Sequence, residues 1–354
     1  MCGGVLTRIL AWDIGGANIK AARLPLRDDP AGCVRVVSRP YEIWREKDRL
    51  RDALYEICSQ LCPADEPEAF AVTMTAELSD IFRTKREGVT FVLESIRACF
   101  PAPAIYVLSL SGEFVPIGDA MLHPLNFAAT NWLASARWIA QKFPDCLLVD
   151  VGSTTTDILP ILDGQLHVSG RTDMARLASG ELVFSGVLRT NLASIVQTVP
   201  VAGRMCRVAS EYFAVSGDVH LVLGNLRPED YTCSTPDGQS PSLDSARRRL
   251  ARLVCADMEM LSADDIDAMA RHICGQQVRQ IREGLSQVLA RVPELRGHPV
   301  VIVGAGIFLG SAAAKSLDLS IADLAGTFGN GEQAVVPCVA AAHLLERQLK
   351  DGCK

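Results

Sequence analysis

One local design occurs twice in this chain. Ile9-Leu10-Ala11-Trp12-Asp13-Ile14-Gly15-Gly16-Ala17-Asn18-Ile19-Lys20 and Leu147-Leu148-Val149-Asp150-Val151-Gly152-Ser153-Thr154-Thr155-Thr156-Asp157-Ile158 each run an apolar strand into an aspartate and then a glycine-led polar turn. A buried strand delivers a carboxylate to its end, glycine lets the backbone come close to a ligand, and turn N–H groups converge on anionic oxygens. A single Asp-x-Gly turn is common, but two in corresponding positions predict two phosphate turns in two lobes. Gly15, Gly16 and Asn18 would serve the first, and Gly152, Ser153, Thr154 and Thr155 the second. Asp13 and Asp150 suit Mg²⁺, a hard ion that prefers oxygen and usually keeps several waters. The competing reading is local: glycines that shape hairpins, hydroxyls at 153–156 that cap their own backbone, and a surface lysine at 20.

A length of 354 residues allows two domains and a large core, and 49% hydrophobic with 21% charged residues suits a soluble α/β enzyme. The net charge of -6 argues against a nucleic-acid binder that works by whole-molecule attraction. The twelve cysteines from Cys2 to Cys353 are scattered through apolar stretches with no Cys-x-x-Cys pair, the usage of a reducing compartment. Cys58 and Cys62 fall one helical turn apart, and neither they nor the histidines make a zinc spacing. With no long apolar span and no signal-peptide pattern at the N-terminus, the sequence reads as cytoplasmic, without a membrane partner.

Periodicity predicts strands at Arg8–Asp13, Ile19–Leu24 and Val34–Val37, a helix over 46–62, a strand Phe70–Thr75 ending at Ala76-Glu77, a helix Lys85–Cys99 and a strand Ala104–Ser109. A helix Asn126–Lys142 precedes the second aspartate strand, after which Ile158–Leu162, an Asp163-Gly164 turn and Gln165–Val168 repeat the opening order. The halves thus read as copies of one βββαβα unit. Irregular, Gly/Pro-punctuated sequence fills 171–245. Helices follow at 245–260, 263–274 and 276–292, then a strand Pro299–Val303 stopping at Gly304-Ala305-Gly306, and a last helix Ala334–Leu349. Trp132 and Trp138 fit a core helix or an interface equally, which leaves a homodimer open.

In this order, the Asp-Ile-Gly-Gly turn, the Asp-Val-Gly-Ser-Thr-Thr-Thr-Asp turn and the late Val-Ile-Val-Gly-Ala-Gly strand resemble the superfamily of actin, sugar kinases and heat-shock chaperone ATPases. The second turn resembles its hydantoinase A and oxoprolinase branch. The resemblance covers nearly the whole chain. It implies an α/β fold of two duplicated ribonuclease H-like (actin-like ATPase) lobes, with mixed sheets flanked by helices and an interlobe cleft. The first lobe would take 1–120 plus 335–354, and the second 121–334 with a substrate-specific insertion near 171–245.

Thr73-Met74-Thr75-Ala76-Glu77-Leu78, Asn131-Trp132-Leu133-Ala134, the run Gly180 to Thr190 and Pro236-Asp237-Gly238 are similar to a narrower family tied to tetrahydromethanopterin-linked one-carbon metabolism. That family includes the methanofuran-biosynthesis enzyme of methanogens. The resemblance implies an ether-forming transferase that joins an aminomethyl-furan methyl diphosphate to the phenol of a γ-glutamyltyramine- or tyrosine-like acceptor and releases diphosphate. Such a leaving group needs Mg²⁺ and N–H donors to take up charge, and the phenol, with a pKa near ~10, gains from a base.

On that reading Asp13, Lys20 and Glu77 are catalytic: Lys20 meets phosphate oxygens and Glu77 takes the phenol proton. Glu77 fits a helix-start or surface glutamate about as well. Arg171 and Arg189 would bind the diphosphate or acceptor carboxylates, with Glu181 in the same segment also facing substrate, unless the arginines form structural ion pairs. Asp157 would steady the second turn. Gly304 and Gly306 match a nucleotide-contacting strand end, vestigial if the substrate brings its own diphosphate. The rival reading is an ATP-dependent kinase or oxoprolinase-type hydrolase using the same turns, although that branch has longer chains with partner subunits. A third is a non-catalytic sensor on a sugar-kinase fold, which would need a helix-turn-helix where the chain begins almost at its first strand.

Overall fold

A computed structural model describes residues 8–25, 33–63, 66–324, 327 and 336–352. Cys2, Cys353, Ala334 and Val335, named above, lie outside the described residues. Contacts divide the chain into two compact units: Met1–Pro144 with Asp163–Leu166 and Leu324–Lys354, and Asp145–Leu162 with His167–Asp323.

The first unit is built on strands β1 (Ile9–Ile14), β2 (Asn18–Arg23), β3 (Arg35–Pro40), β4 (Ala69–Met74), β5 (Ala104–Leu108) and β6 (Phe114–Pro116), in the sheet order β3-β2-β1-β4-β5-β6. β1, β4 and β5 run parallel and the other pairs antiparallel. The period-2 alternation of β1 decides what each face meets. Leu10, Trp12 and Ile14 join one apolar cluster with the helices Leu50–Leu61 and Lys85–Cys99. There Trp12, Phe70 and Phe100 form a three-ring contact with centroids 4.9 to 6.0 Å apart, which ties β1 to β4. Ala11 and Asp13 point the other way, with Ala71 and Ala22 beside them. These small side chains let the helix Val336–Asp351, itself carrying Ala340, Ala341 and Ala342, lie close over the sheet.

The second unit carries β7 (Cys146–Val151), β8 (Thr156–Leu162), β9 (Leu182–Val183) and, after a separate hairpin of β10 (Thr198–Val201) and β11 (Arg204–Arg207), β12 (Val300–Val303). Its sheet runs β9-β8-β7-β12, with β12 parallel to β7 and the rest antiparallel. β7 therefore has the neighbours β1 has: the next strand antiparallel on one side and a parallel strand on the other. Leu147, Val149 and Val151 pack with Ile281, Leu285 and Val288 and with Leu309 of the helix Ile307–Lys315.

Several elements differ from the sequence expectation. The helices expected at 263–274 and 276–292 are one helix, Ala263–Arg291. Gly275 does not break it, because the apolar face from Ile266 through Ile273 to Leu289 continues across it, and packing outweighs the propensity cost of about 1 kcal/mol. The helix of 126–142 is shorter, Asn131–Ala140, since Pro124 opens a separate 3-10 turn and Ala129 takes φ +50°. The helix of 245–260 is Leu243–Arg252, and Cys255 at φ +56° follows its end. The helix of 46–62 starts at Leu50, after a helical turn and a 3-10 turn. The 171–245 stretch is not wholly irregular, for it holds the helices Asp173–Ser179 and Ser216–Val222 besides the hairpin. Trp132 and Trp138 are buried within the first unit, in core roles.

Candidate functional site

Both aspartates sit at the carboxyl ends of their strands, beside turns closed in the same way. Gly15 N–H donates to Asn18 O at 2.9 Å, and Gly152 N–H donates to Thr155 O at 2.9 Å. In the first turn, Asp13 is buried, and Thr73 Oγ1 donates to Trp12 O at 3.1 Å and reaches Asp13 Oδ1 at 3.4 Å. Lys20 lies directly opposite Asp13 across the β1–β2 pair. Neighbouring backbone braces the loop: Ile43 N–H donates to Gly16 O, Tyr41 N–H to Ala17 O and Thr75 N–H to Ile14 O. Asn18 Oδ1 is buried and accepts no hydrogen bond among the described residues. Cys338 of the overlying helix feels both charges. Its thiol is pushed up to about 12, chiefly by burial and further by Asp13, with Lys20 opposing.

Glu77, on the 3-10 turn Ala76–Leu78 that follows β4, is buried rather than on the surface. Thr73, Thr75 and Glu77 come from one short segment, and its first two members brace the aspartate and the turn.

The second turn rests on the run Gly180 to Thr190. Val187 N–H donates to Gly152 O, and the N–H groups of Leu188 and Arg189 both donate to Ser153 O. Gly186 lies flat on the turn: a Cβ there would come 2.5 Å from Thr154 N, so only glycine allows the approach. Thr156 Oγ1 donates to Ser185 O at 2.8 Å. From the other side, Gly306 N–H donates to Val151 O. Gly304 takes φ +90°, and a Cβ on it would lie 2.6 Å from Asp150 Oδ1. The second unit thus gathers Asp150, Gly152 to Thr155, Arg189, Gly304 and Gly306 around one turn.

Asp157, opposite Asp150 across β7–β8, bonds to Arg176 at 2.6 Å. Burial pushes the Asp157 carboxyl up and Arg176 holds it down. Arg176 was not singled out by the sequence reading, although a buried acid beside another acid demands a cation. Glu181 is fully buried; its Oε1 accepts from Ser169 N–H at 2.6 Å and pairs with Arg291. Arg171 is exposed. Asp237 of the Pro-Asp-Gly segment bonds the buried Arg249 at 3.1 Å, and Arg249 also donates twice to Asp218 Oδ1. Burial raises the Asp218 carboxyl against Arg249.

Among the described residues no three His, Cys, Asp or Glu side chains gather into a metal cage. No described helix is long and apolar enough to cross a membrane, and the ten described cysteines are free thiols.

Two helix-flanked mixed sheets with matched aspartate turns are the actin-like ATPase architecture, and the sequence model of the hydantoinase/oxoprolinase family matches residues 68–348. The chain belongs to that family. It is 34% identical to the (4-{4-[2-(gamma-L-glutamylamino)ethyl]phenoxymethyl}furan-2-yl)methanamine synthase of Methanocaldococcus jannaschii, over 96% of this chain and 98% of that one. It is 32% identical to the synthase of the same name from Methanococcus vannielii, over 60% of this chain and 97% of the relative. Among solved structures, a nucleotide-free acetone carboxylase shares the fold at a TM-score of 0.56 and 11% identity, covering 95% of this chain and 70% of that one.

Proposed function

We propose that the protein is a transferase that joins a furanylmethyl diphosphate to a phenolic acceptor of the γ-glutamyltyramine or tyrosine type, in the assembly of a methanofuran-type cofactor. The carrying observation is similarity over almost the full length of a synthase whose product is such a furan–phenol ether. In the step, the bond from methylene carbon to diphosphate oxygen breaks, the phenol oxygen bonds to that carbon, and diphosphate departs with the electron pair. The electron-rich furan supports positive charge on the carbon.

The amides at 16–17 and 153–154 are the proposed phosphate donors, since Gly15 and Gly152 spend theirs within the turns. Lys20 adds a cation beside the first. Arg189, anchored through its backbone to Ser153, supplies a guanidinium near the second. Glu77 takes the phenol proton, and its burial shields that proton from bulk water. Arg171 and Glu181 complete the substrate-facing set, Glu181 through the segment it anchors.

Asp13 in the first unit and Asp150 in the second would each be a ligand for Mg²⁺. Each carboxylate by itself suits the ion, being a hard oxygen ligand at a strand end, and the buried Asn18 Oδ1 would accept from a water bound to it. With so few protein ligands, solvent and substrate oxygens would fill the remaining positions. When bound, Mg²⁺ neutralises charge that develops on the leaving diphosphate.

The test supplies purified protein and Mg²⁺ with furan diphosphate plus phenolic acceptor, or with ATP plus candidate acceptors. Diphosphate and ether should appear in the first mixture. ADP release in the second, with the diphosphate inert, would replace this reading with the kinase or hydrolase one.

A further inference from the structure

Two buried side chains with no part in the proposed chemistry tie together the walls of the second turn. His220, on the helix Ser216–Val222, and Gln277, midway along Ala263–Arg291, are both fully buried. Gln277 Nε2 donates to Gly186 O at 2.7 Å and to Ser185 Oγ at 3.1 Å. A carbonyl accepts only, which fixes the amide: its Oε1 faces His220 Nε2 at 3.0 Å, and that nitrogen must carry the hydrogen. His220 Nδ1 is then the acceptor for Asn225 Nδ2 at 3.4 Å. Each donor and acceptor along Asn225, His220, Gln277 and Gly186 therefore points one way.

The same imidazole meets the other wall. Its ring lies edge-on to Phe308, with centroids 4.8 Å apart, and Phe308 opens the helix that leaves Gly304-Ala305-Gly306. Gly186 lies against the Thr154 backbone, and the three residues after it donate to Gly152 O and Ser153 O. His220 is thus linked to both segments that grip the turn, through a hydrogen bond on one side and a ring contact on the other.

We infer that Gln277, oriented by His220, is a positioning residue that holds the Gly152–Thr155 turn ready for the substrate's diphosphate; this rests on the function proposed above. A loop fixed before binding loses less freedom on binding, and amides held in place need no reorganisation as charge builds on the leaving group. Burial keeps the imidazole neutral by driving its pKa down to about 4, against a smaller opposing effect of Gln277, and the neutral ring is the form this chain of bonds requires.

Gln277→Met keeps the side-chain length, adds no charge and loses the donor toward Gly186. Its affinity for inorganic diphosphate with Mg²⁺, by titration calorimetry, should fall about tenfold. The KM for furan diphosphate should rise in parallel while that for the phenolic acceptor holds. Amide exchange at Val187, Leu188 and Arg189 should quicken in the ligand-free protein. If Gln277→Met does not fold, Asn225→Ala at the exposed end of the chain decides, with a shift of about threefold in the same direction. Wild-type protein that binds diphosphate as tightly as the variant overturns the inference alone, even if the amides exchange faster. Wild-type protein that binds no diphosphate overturns the functional reading with it.

Discussion

The first and second turns are closed by the same hydrogen bond and differ in the residue seven positions past the aspartate. Opposite Asp13 stands Lys20; opposite Asp150 stands Asp157. Facing side chains of opposite sign stabilise an antiparallel pair by a few tenths of a kcal/mol to about 1 kcal/mol, and like signs oppose it. The first pair is favourable by itself. The second would repel without the buried Arg176, and its cation is spent inside the protein. The supports differ too, since Thr73 of the neighbouring strand and backbone from 41–43 and 75 brace the first turn, whereas backbone from 187–189 and Gly306 holds the second, with Gln277 bonded to Gly186 behind it. The two occurrences of the design share the strand and the closing hydrogen bond of the turn, while the electrostatics around them differ.

The sharpest way to break the equivalence is to neutralise each aspartate. Asp13→Asn and Asp150→Asn should each lower turnover by about a thousandfold or more, with circular dichroism and melting near wild type. Near-normal turnover in Asp150→Asn alone would mean that the second turn is a structural relic.

Next in size is Arg176→Met, which strands Asp157 opposite Asp150. Removing one partner of a buried pair costs about 3–5 kcal/mol, measurable by urea unfolding near neutral pH. The sign of its pH dependence follows from Asp157, whose folded pKa is already raised by burial and loses the opposing Arg176. A folded carboxyl with a raised pKa takes up protons before the unfolded chain does, so the deficit should shrink as pH falls through that pKa. Lys20→Met should leave stability nearly unchanged and weaken diphosphate binding instead. The reverse pattern would remove the contrast between the two positions.

Acid should distinguish the units as well. His220 has a folded pKa of about 4 against 6.5 unfolded, lowered by burial. Between those values the unfolded chain binds the extra proton, so stability is full above 6.5 and falls as pH drops toward 4, by on the order of 3 kcal/mol in all. Unfolding of wild type and His220→Gln, compared across that window, isolates this contribution. Parallel curves would contradict it.

Much of this was legible in the sequence, for physical reasons that also mark where reading stopped. The strands around Asp13 and Asp150 announce themselves because apolar runs ending in glycine turns are local patterns, and the resemblance follows from their order. The continuity of Ala263–Arg291 was not legible, since a glycine inside a helix is punished locally and rescued only by distant packing. Arg176, Gln277 and His220 were missed for the same reason: they lie 19, 91 and 34 residues from the groups they serve at Asp157 and Gly186, and nothing in their own neighbourhoods marks them. Glu181 was visible as part of a motif, but the pairing of its buried carboxyl with Arg291 depends on a contact 110 residues away.

The smallest effect gives the cleanest comparison of the turns. A Cβ at Gly15 would lie 2.7 Å from Asn18 O, the oxygen that closes its own turn, whereas at Gly152 the nearest atom, Thr155 O, is 3.4 Å away. Gly15→Ala should therefore cost about 1–2 kcal/mol by forcing the turn open. Gly152→Ala should be neutral or stabilising by up to about 1 kcal/mol, because alanine narrows the unfolded ensemble and meets no clash. Any fall in diphosphate affinity for Gly152→Ala then cannot come from a damaged fold; it reports a ligand that needs the space the added methyl fills. Unchanged stability and unchanged affinity together would mean that the ligand does not approach the second turn at Gly152.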